Sequence, residues 1–231
     1  PEVFVHTMAE NNVTILVKKG KVLYDLGNIT GAILYYDKAL AIDPHNVDAL
    51  YDKGNAIDKL GNDTGAIEYY DKALAINPHY VKVLTNKGLA LDNLRNYTGA
   101  IEYYDKALAI DPMHVTALDG KGWVFDKLGN HTGAIEYYDK ALAIDPKNVA
   151  SFNDKGLALY SLGNFTAAIR YYDKALAIEP KNEDALIWKG IAFFTMKKTL
   201  FLTIAITIAV VAVALPFVAP IIAKVANADG N

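Results

Sequence analysis

Apolar positions between Val13 and Asn182 recur at three- and four-residue steps, broken by turn residues at fixed places. Leu50, Gly54, Ile57 and Leu60 share one face of a predicted helix, which Gly61 closes as a left-handed C-terminal residue. Thr64 then falls where an N-cap is expected, and Ile67, Tyr70, Ala73 and Leu74 mark the face of a second helix that must end before Pro78. The unit is helix, short turn, helix, and it repeats. Pro44, Pro78, Pro112, Pro146 and Pro180 are spaced 34 apart. Around them stand GAILYYDKALAIDP from Gly31, GAIEYYDKALAINP from Gly65, GAIEYYDKALAIDP from Gly99 and again from Gly133, and AAIRYYDKALAIEP from Ala167. Small residues at matching places (Gly54 and Ala66, Gly88 and Ala100, Gly122 and Ala134) let the two helices approach, while Tyr and Leu fill the space between units.

This pattern resembles the tetratricopeptide repeat family, whose consensus runs aromatic or Leu, Gly, aromatic, Ala, aromatic, Ala, Pro. The second copy places Leu50, Gly54, Ile57, Ala66, Tyr70, Ala73 and Pro78 there. The resemblance covers repeats at 13–46, 47–80, 81–114, 115–148 and 149–182, and 183–195 reads as the first helix of a sixth, incomplete repeat. It implies an all-α, right-handed solenoid whose concave surface is built by first helices and holds a protein or peptide partner. By the same resemblance the groove is lined by Tyr51, Asn55, Thr85, Leu89, Asp119, Trp123, Asn153 and Leu157. Trp123 reads either as core or as a peptide anchor. The Lys of a carboxylate clamp is absent, its places being taken by Val17, Tyr51, Thr85, Asp119 and Asn153. Before the first-helix Gly the family usually has Leu, whereas this chain has Lys19, Lys53, Lys87, Lys121, Lys155 and Lys189. Their stems are expected along apolar surface, with the ammonium groups meeting the Asp37, Asp71, Asp105, Asp139, Asp173 series or solvent. The alternative is a lysine ladder that binds a ligand.

Composition narrows the function. The 231 residues are 52% apolar and 21% charged, with no Cys, which excludes a disordered or disulfide-stapled chain, thiol catalysis and Cys-type zinc sites. Lys and Arg (23) and Asp and Glu (26) are interspersed to a net charge of −3, which argues against nucleic acid as a partner. His6, His45, His79, His114 and His131 are scattered, and no metal-ligand spacing, phosphate loop or nucleophile motif is present. The expectation is a scaffold without catalytic residues, metal or cofactor.

The inter-helix turns carry Asn28-Ile29-Thr30, Asn62-Asp63-Thr64, Asn96-Tyr97-Thr98, Asn130-His131-Thr132 and Asn164-Phe165-Thr166, and Asn12-Val13-Thr14 makes a sixth. Each is an N-glycosylation acceptor. Turn and capping chemistry alone would also favour Asn and Thr here. Yet the middle residue diverges while the outer two never become Asp or Ser, which turns and caps accept equally well. Glycosylation at Asn12, Asn28, Asn62, Asn96, Asn130 and Asn164 is therefore expected, and it requires an extracellular or cell-surface location.

From Thr199 to Ala223 no residue is charged. As a helix this segment spans about 37 Å at about 1.5 Å per residue, enough for a hydrocarbon core of about 30 Å. Lys197-Lys198 on one flank, against Lys224 and Asp229 on the other, would place the repeats on the cytoplasmic side, in conflict with the sugars. Two other readings compete. Met196-Lys197-Lys198, the apolar run and Ala226-Asn227-Ala228 look like a secretion signal in an odd place. Thr203 to Val210 alternate Thr or Ala with Ile or Val, a strand-like pattern suited to burial in a second copy and head-to-tail filament growth. Pro216 and Pro220 would kink a helix or end a strand. Residues 1–12 lie outside the repeats, and Val3-Phe4-Val5 reads as an extended segment that packs over the exposed edge of the first repeat or into a neighbouring subunit. The chain begins at Pro1 rather than Met, as after truncation or removal of a leader.

Overall fold

The structure, a computed structural model, describes the backbone of residues 2–228 and the side chains of 12–212, 215, 218 and 219. The described residues form helices α1 (Glu2–Asp25), α2 (Ile29–Ile42), α3 (Val47–Lys59), α4 (Asp63–Ile76), α5 (Val81–Asn93), α6 (Tyr97–Ile110), α7 (Val115–Lys127), α8 (His131–Ile144), α9 (Val149–Ser161), α10 (Phe165–Ile178) and α11 (Glu183–Ala228), and no strand. They fall into two compact units, 1–151 and 152–231.

In the first unit α1/α2, α3/α4, α5/α6 and α7/α8 are antiparallel hairpins, each stacked on the next through α2 on α3, α4 on α5 and α6 on α7. The first helices also touch one another, α1 on α3, α3 on α5 and α5 on α7, whereas no second helix of this unit touches another. The first helices therefore line the inner, concave side of this stack. The second unit holds α9 from Phe152, with α10 packed on α11.

The repeated second helix carries the core. Ala32, Tyr36 and Ala39 are buried, as are their counterparts Ala66, Tyr70 and Ala73 and Ala100, Tyr104 and Ala107. Each of these tyrosines packs closely against a first-helix glycine: a Cβ added to Gly54 would stand 2.6 Å from Tyr70 Cε1. That close approach is what requires Gly there. At the end of the first helix Gly61 takes φ +79°, the left-handed region, and in the third repeat Arg95 holds the same conformation at φ +59°.

The lysine series packs. Lys53, Lys87 and Lys121 reach back to Asp37, Asp71 and Asp105 of the preceding repeat, and Lys189 reaches Asp173 at 2.6 Å. The ammonium of Lys53 lies 4.3 Å from the Tyr69 ring centroid, that of Lys87 4.2 Å from Tyr103, and that of Lys155 4.4 Å from Tyr171. Burial works against the Lys87 charge, but hydrogen bonds to Asp71 and Tyr103 outweigh it and its pKa is raised. Lys53, Lys87, Lys121 and Lys189 are thus occupied as ties between repeats.

Three expectations are corrected. The N-terminal residues are helical rather than extended, because α1 begins at Glu2 and runs unbroken into the first repeat. With no Gly or Pro between Glu2 and Thr14, a helix nucleated by the packed part of α1 extends backward at little cost. The N-cap is the turn Asn, not the Thr: Asn28, Asn62, Asn96 and Asn130 accept the N–H of Gly31, Gly65, Gly99 and Gly133 at 2.9, 2.9, 3.1 and 2.9 Å, and Asn164 accepts that of Ala167 at 3.2 Å. The strand-like stretch 203–210 is helical, since α11 continues through it and past Pro216 and Pro220. Thr195, Thr199, Thr203 and Thr207 stand four apart there, and each hydroxyl donates to the carbonyl one turn back at 2.8 to 2.9 Å. The β-branched side chains are thus accommodated within helical geometry. Asp229 lies outside the described residues.

Candidate functional site

On the concave side of the first unit, Tyr51 and Asn55 come together with a residue that the sequence did not single out. Asn86 Nδ2 donates to Asn55 Oδ1 at 2.8 Å and to the Tyr51 hydroxyl at 3.3 Å, and the Tyr70 hydroxyl donates to Asn55 Oδ1 at 2.9 Å. Tyr51 also packs on Tyr80, with ring centroids 5.4 Å apart. Burial, then the neighbouring Asp48, pushes the Tyr80 phenol up to about 12.

The other groove candidates are dispersed. Thr85 is buried and its hydroxyl bonds to Val81 O at 2.9 Å, so it belongs to the helix packing and not to the groove surface. Leu89 is exposed. Asp119 accepts from Ser151 Oγ at 2.6 Å and from Asn148 Nδ2 at 3.2 Å. Burial raises its pKa to about 6, although those two hydrogen bonds oppose the shift. Trp123 is half-buried with the Lys127 ammonium 3.9 Å from its ring centroid. In the second unit Asn153 Nδ2 donates to Asn182 Oδ1 at 2.9 Å, and Leu157 is half-buried.

A cavity of about 240 Å³ opens beside this cluster, among Lys21, Tyr24 and Asp25 of α1, Tyr36 of α2, Tyr51, Asp52 and Asn55 of α3, and Lys82 of α5. Asp52 is only 5% exposed. Its Oδ2 has no hydrogen bond, and the Lys21 ammonium stands 3.7 Å away, beyond hydrogen-bond length. Burial raises the Asp52 pKa to about 6, with Lys21 pulling against the shift. Sequence reasoning passed over Asp52 because a lone acid in a polar first helix reads as solvated. A signal was available: its repeat counterparts are Lys18, Asn86, Gly120, Asp154 and Trp188, a position that diverges beside the unvarying Lys.

Asn28, Asn62, Asn96, Asn130 and Asn164 are exposed on the turns, and Thr30, Thr64, Thr98, Thr132 and Thr166 are exposed as second residues of their helices. Asn12 is exposed within α1, where its neighbour Val13 is buried. Two histidines have structural partners: His114 Nδ1 accepts the Ala117 N–H at 3.3 Å as the cap of α7, and His131 Nδ1 stands 2.7 Å from Asp126. Among the described residues no group of three or more His, Asp or Glu is placed to hold a metal ion. At the outer end of the first hairpin a second hollow of about 390 Å³ lies among Ile15, Lys18, Lys19, Val22, Leu23 and Tyr35.

Helical hairpins stacked at a 34-residue period, with first helices forming an inner polar and aromatic face, define a tetratricopeptide repeat scaffold. The chain belongs to the tetratricopeptide repeat family, whose models match residues 17–81 and 85–149 and, separately, 149–182. It is similar in structure to MamA, with 30% identity, coverage of 74% of this chain and 94% of that one, and a TM-score of 0.62. It is also similar to PilF of Pseudomonas aeruginosa (22% identity, 82% and 86% coverage, TM-score 0.73). A third neighbour is YrrB, described as a TPR protein with an unusual peptide-binding site (23% identity, 81% and 97% coverage, TM-score 0.61). No curated protein sequence matches it. Members of this family bind protein or peptide partners and are generally non-catalytic, and this chain is a scaffold for protein–protein interaction.

Proposed function

We propose that the protein is a membrane-anchored interaction scaffold whose repeats stand outside the cytoplasm, at the cell surface, and carry N-linked sugars along the turn edge. One observation carries the anchor: Glu183–Ala212 of α11 is long and apolar enough to cross a membrane, and none of its most apolar window is buried within the protein. Exposed Leu200, Phe201, Ile204, Ile208 and Val211 need an apolar surrounding. The hydroxyls of Thr199, Thr203 and Thr207 bond to the helix itself, which is what a bilayer core demands of polar groups.

The sugars are supported by the caps. The Asn uses Oδ1 for the helix N–H, and glycosylation replaces a hydrogen on Nδ2, so cap and sugar coexist. Capping therefore explains the Asn; of the exposed turn Thr, Thr166 donates to Met196 Sδ at 3.6 Å, and acceptor chemistry supplies a task common to all five. Two measurements test the reading. Membranes washed at alkaline pH should retain the full chain until detergent is added, and glycopeptide mass spectrometry should find sugar on the peptides containing Asn28, Asn62, Asn96, Asn130 and Asn164, with Asn12 a sixth site. Release by the wash sinks the anchor. Bare Asn at every site sinks the surface location and favours a cytoplasm-facing, tail-anchored adaptor.

A second reading, self-assembly, is favoured by the end of the first hairpin. Ile15 and Val22 occupy the places of Ala49 and Ala56, Val83 and Ala90, and Ala117 and Val124, all fully buried by stacking, yet they are 50% and 58% exposed. A second copy stacked head to tail covers that face and continues the repeat, and contacts of this kind propagate. Light scattering of the detergent-solubilised chain should show polymers that Ile15→Lys abolishes; a monomer at all concentrations removes this reading.

A further inference from the structure

We propose that the cavity beside Asp52 is a binding pocket for the cationic side chain, Lys or Arg, of an extended partner peptide lying along the first helices of the first unit. The inference rests on the scaffold role of the fold and not on the anchor or the sugars.

The observations are a cavity, a buried acid and a ring of tyrosines in one place. The cavity is roomy enough for one long side chain, at about 240 Å³. Asp52 lines it, nine-tenths buried, with an oxygen that no hydrogen bond satisfies and whose ion pair with the Lys21 ammonium is loose, at 3.7 Å. An ionised carboxylate in that state is costly unless a donor reaches it. Its repeat counterpart Asn86 has its Nδ2 bonded to Tyr51 and Asn55.

The charges favour a cation. Asp25 and Asp52 line the cavity with Lys21 and Lys82, and of these four only Asp52 is buried. The two lysines are exposed and free to swing into water, and the Lys21 side chain is 61% exposed, while Asp52 is fixed by burial. An incoming ammonium or guanidinium therefore displaces Lys21 and takes its place against Asp52, closer than 3.7 Å. Tyr24, Tyr36 and Tyr51 supply the remaining wall, and their ring faces attract cations. The protein already uses this set elsewhere: Lys87 sits buried between the Asp71 carboxylate and the Tyr103 ring. The cavity presents the same partners to a side chain arriving from solvent. This selects against the free C-terminal carboxylate that a Lys-based clamp holds.

The test pans a degenerate decapeptide display library against the detergent-solubilised full chain, then measures selected peptides by fluorescence anisotropy. Lys or Arg should be enriched at one fixed position, and replacing it by norleucine should weaken binding at least about tenfold. Asp52→Asn, which removes the charge but keeps the shape, should abolish that preference. Lys21→Met, which removes the internal competitor, should tighten binding. Circular dichroism melts check that both variants fold. Peptides recovered without a basic preference, or with one that survives in Asp52→Asn, overturn the pocket and leave the scaffold reading standing. Recovery of no peptide overturns both.

Discussion

The Tyr70 hydroxyl donates to Asn55 Oδ1 across 2.9 Å, tying a second helix to the concave face. One repeat later Tyr104 occupies the same place, but Leu89 stands where Asn55 would be and Gly120 where Asn86 would be. The Tyr104 hydroxyl is consequently buried without a partner. Tyr70→Phe should cost about 1 kcal/mol, whereas Tyr104→Phe should be neutral or stabilising by about 1 kcal/mol, since it removes an unmet donor. Thermal melts of the two variants in detergent check this, and equal losses would contradict it.

Gly88 has Tyr104 Cε1 2.8 Å from where its Cβ would stand, while Gly190 on α11 has nothing within 4 Å. Gly88→Ala should therefore destabilise by about 1–3 kcal/mol through overpacking. Gly190→Ala should stabilise by up to about 1 kcal/mol, because only the backbone entropy of glycine is removed from a helix. Chemical denaturation midpoints of the pair supply the comparison.

Arg95 holds φ +59° where the other turns place glycine at +77° to +80°. Left-handed backbone costs a non-glycine residue about 1 kcal/mol. Arg95→Gly should return that amount as a raised melting temperature, and Gly129→Arg should lose it. No change in either variant would mean that the turn relaxes without strain.

Asp52 binds its proton more tightly in the folded chain, with a pKa of about 6 caused by burial. A carboxylate raised in this way contributes stability that is complete below its unfolded pKa and is lost as pH rises through about 6. Asp52→Asn should thus stabilise the protein by about 1–2 kcal/mol at pH 7, with the gain vanishing near pH 4. Melts at a series of pH values read this directly. A gain that persists at pH 4 would point to a cause other than ionisation.

The repeat frame was legible because two constraints reinforce each other every 34 residues: a glycine pressed on a tyrosine, as at Gly54 and Tyr70, and a proline after each second helix. Other features were hidden for physical reasons. Asn62 and Thr64 are both good capping residues two apart, and only the position of Gly61, ending α3's turn one residue earlier, leaves Asn62 as the cap. Val3 to Val5 carry a strand-like composition, but no stop signal separates them from α1. Thr203 and Thr207 suit a strand or a helix until their hydroxyls are seen bonded one turn back. Asp52 becomes distinctive only when α1, α2 and α5 close around α3.

The ties between neighbouring repeats are the same tie each time, an Asp on one unit gripping the Lys sixteen residues on in the next. An interface written so uniformly does not care which two units it joins. A gene encoding it can gain or lose one whole unit by recombination between its own near-identical segments, and the shortened or lengthened chain still stacks. Length is then a cheap variable in inheritance, while the first-helix positions that differ between units, Asp52 and Gly120 among them, are what such an exchange would shuffle.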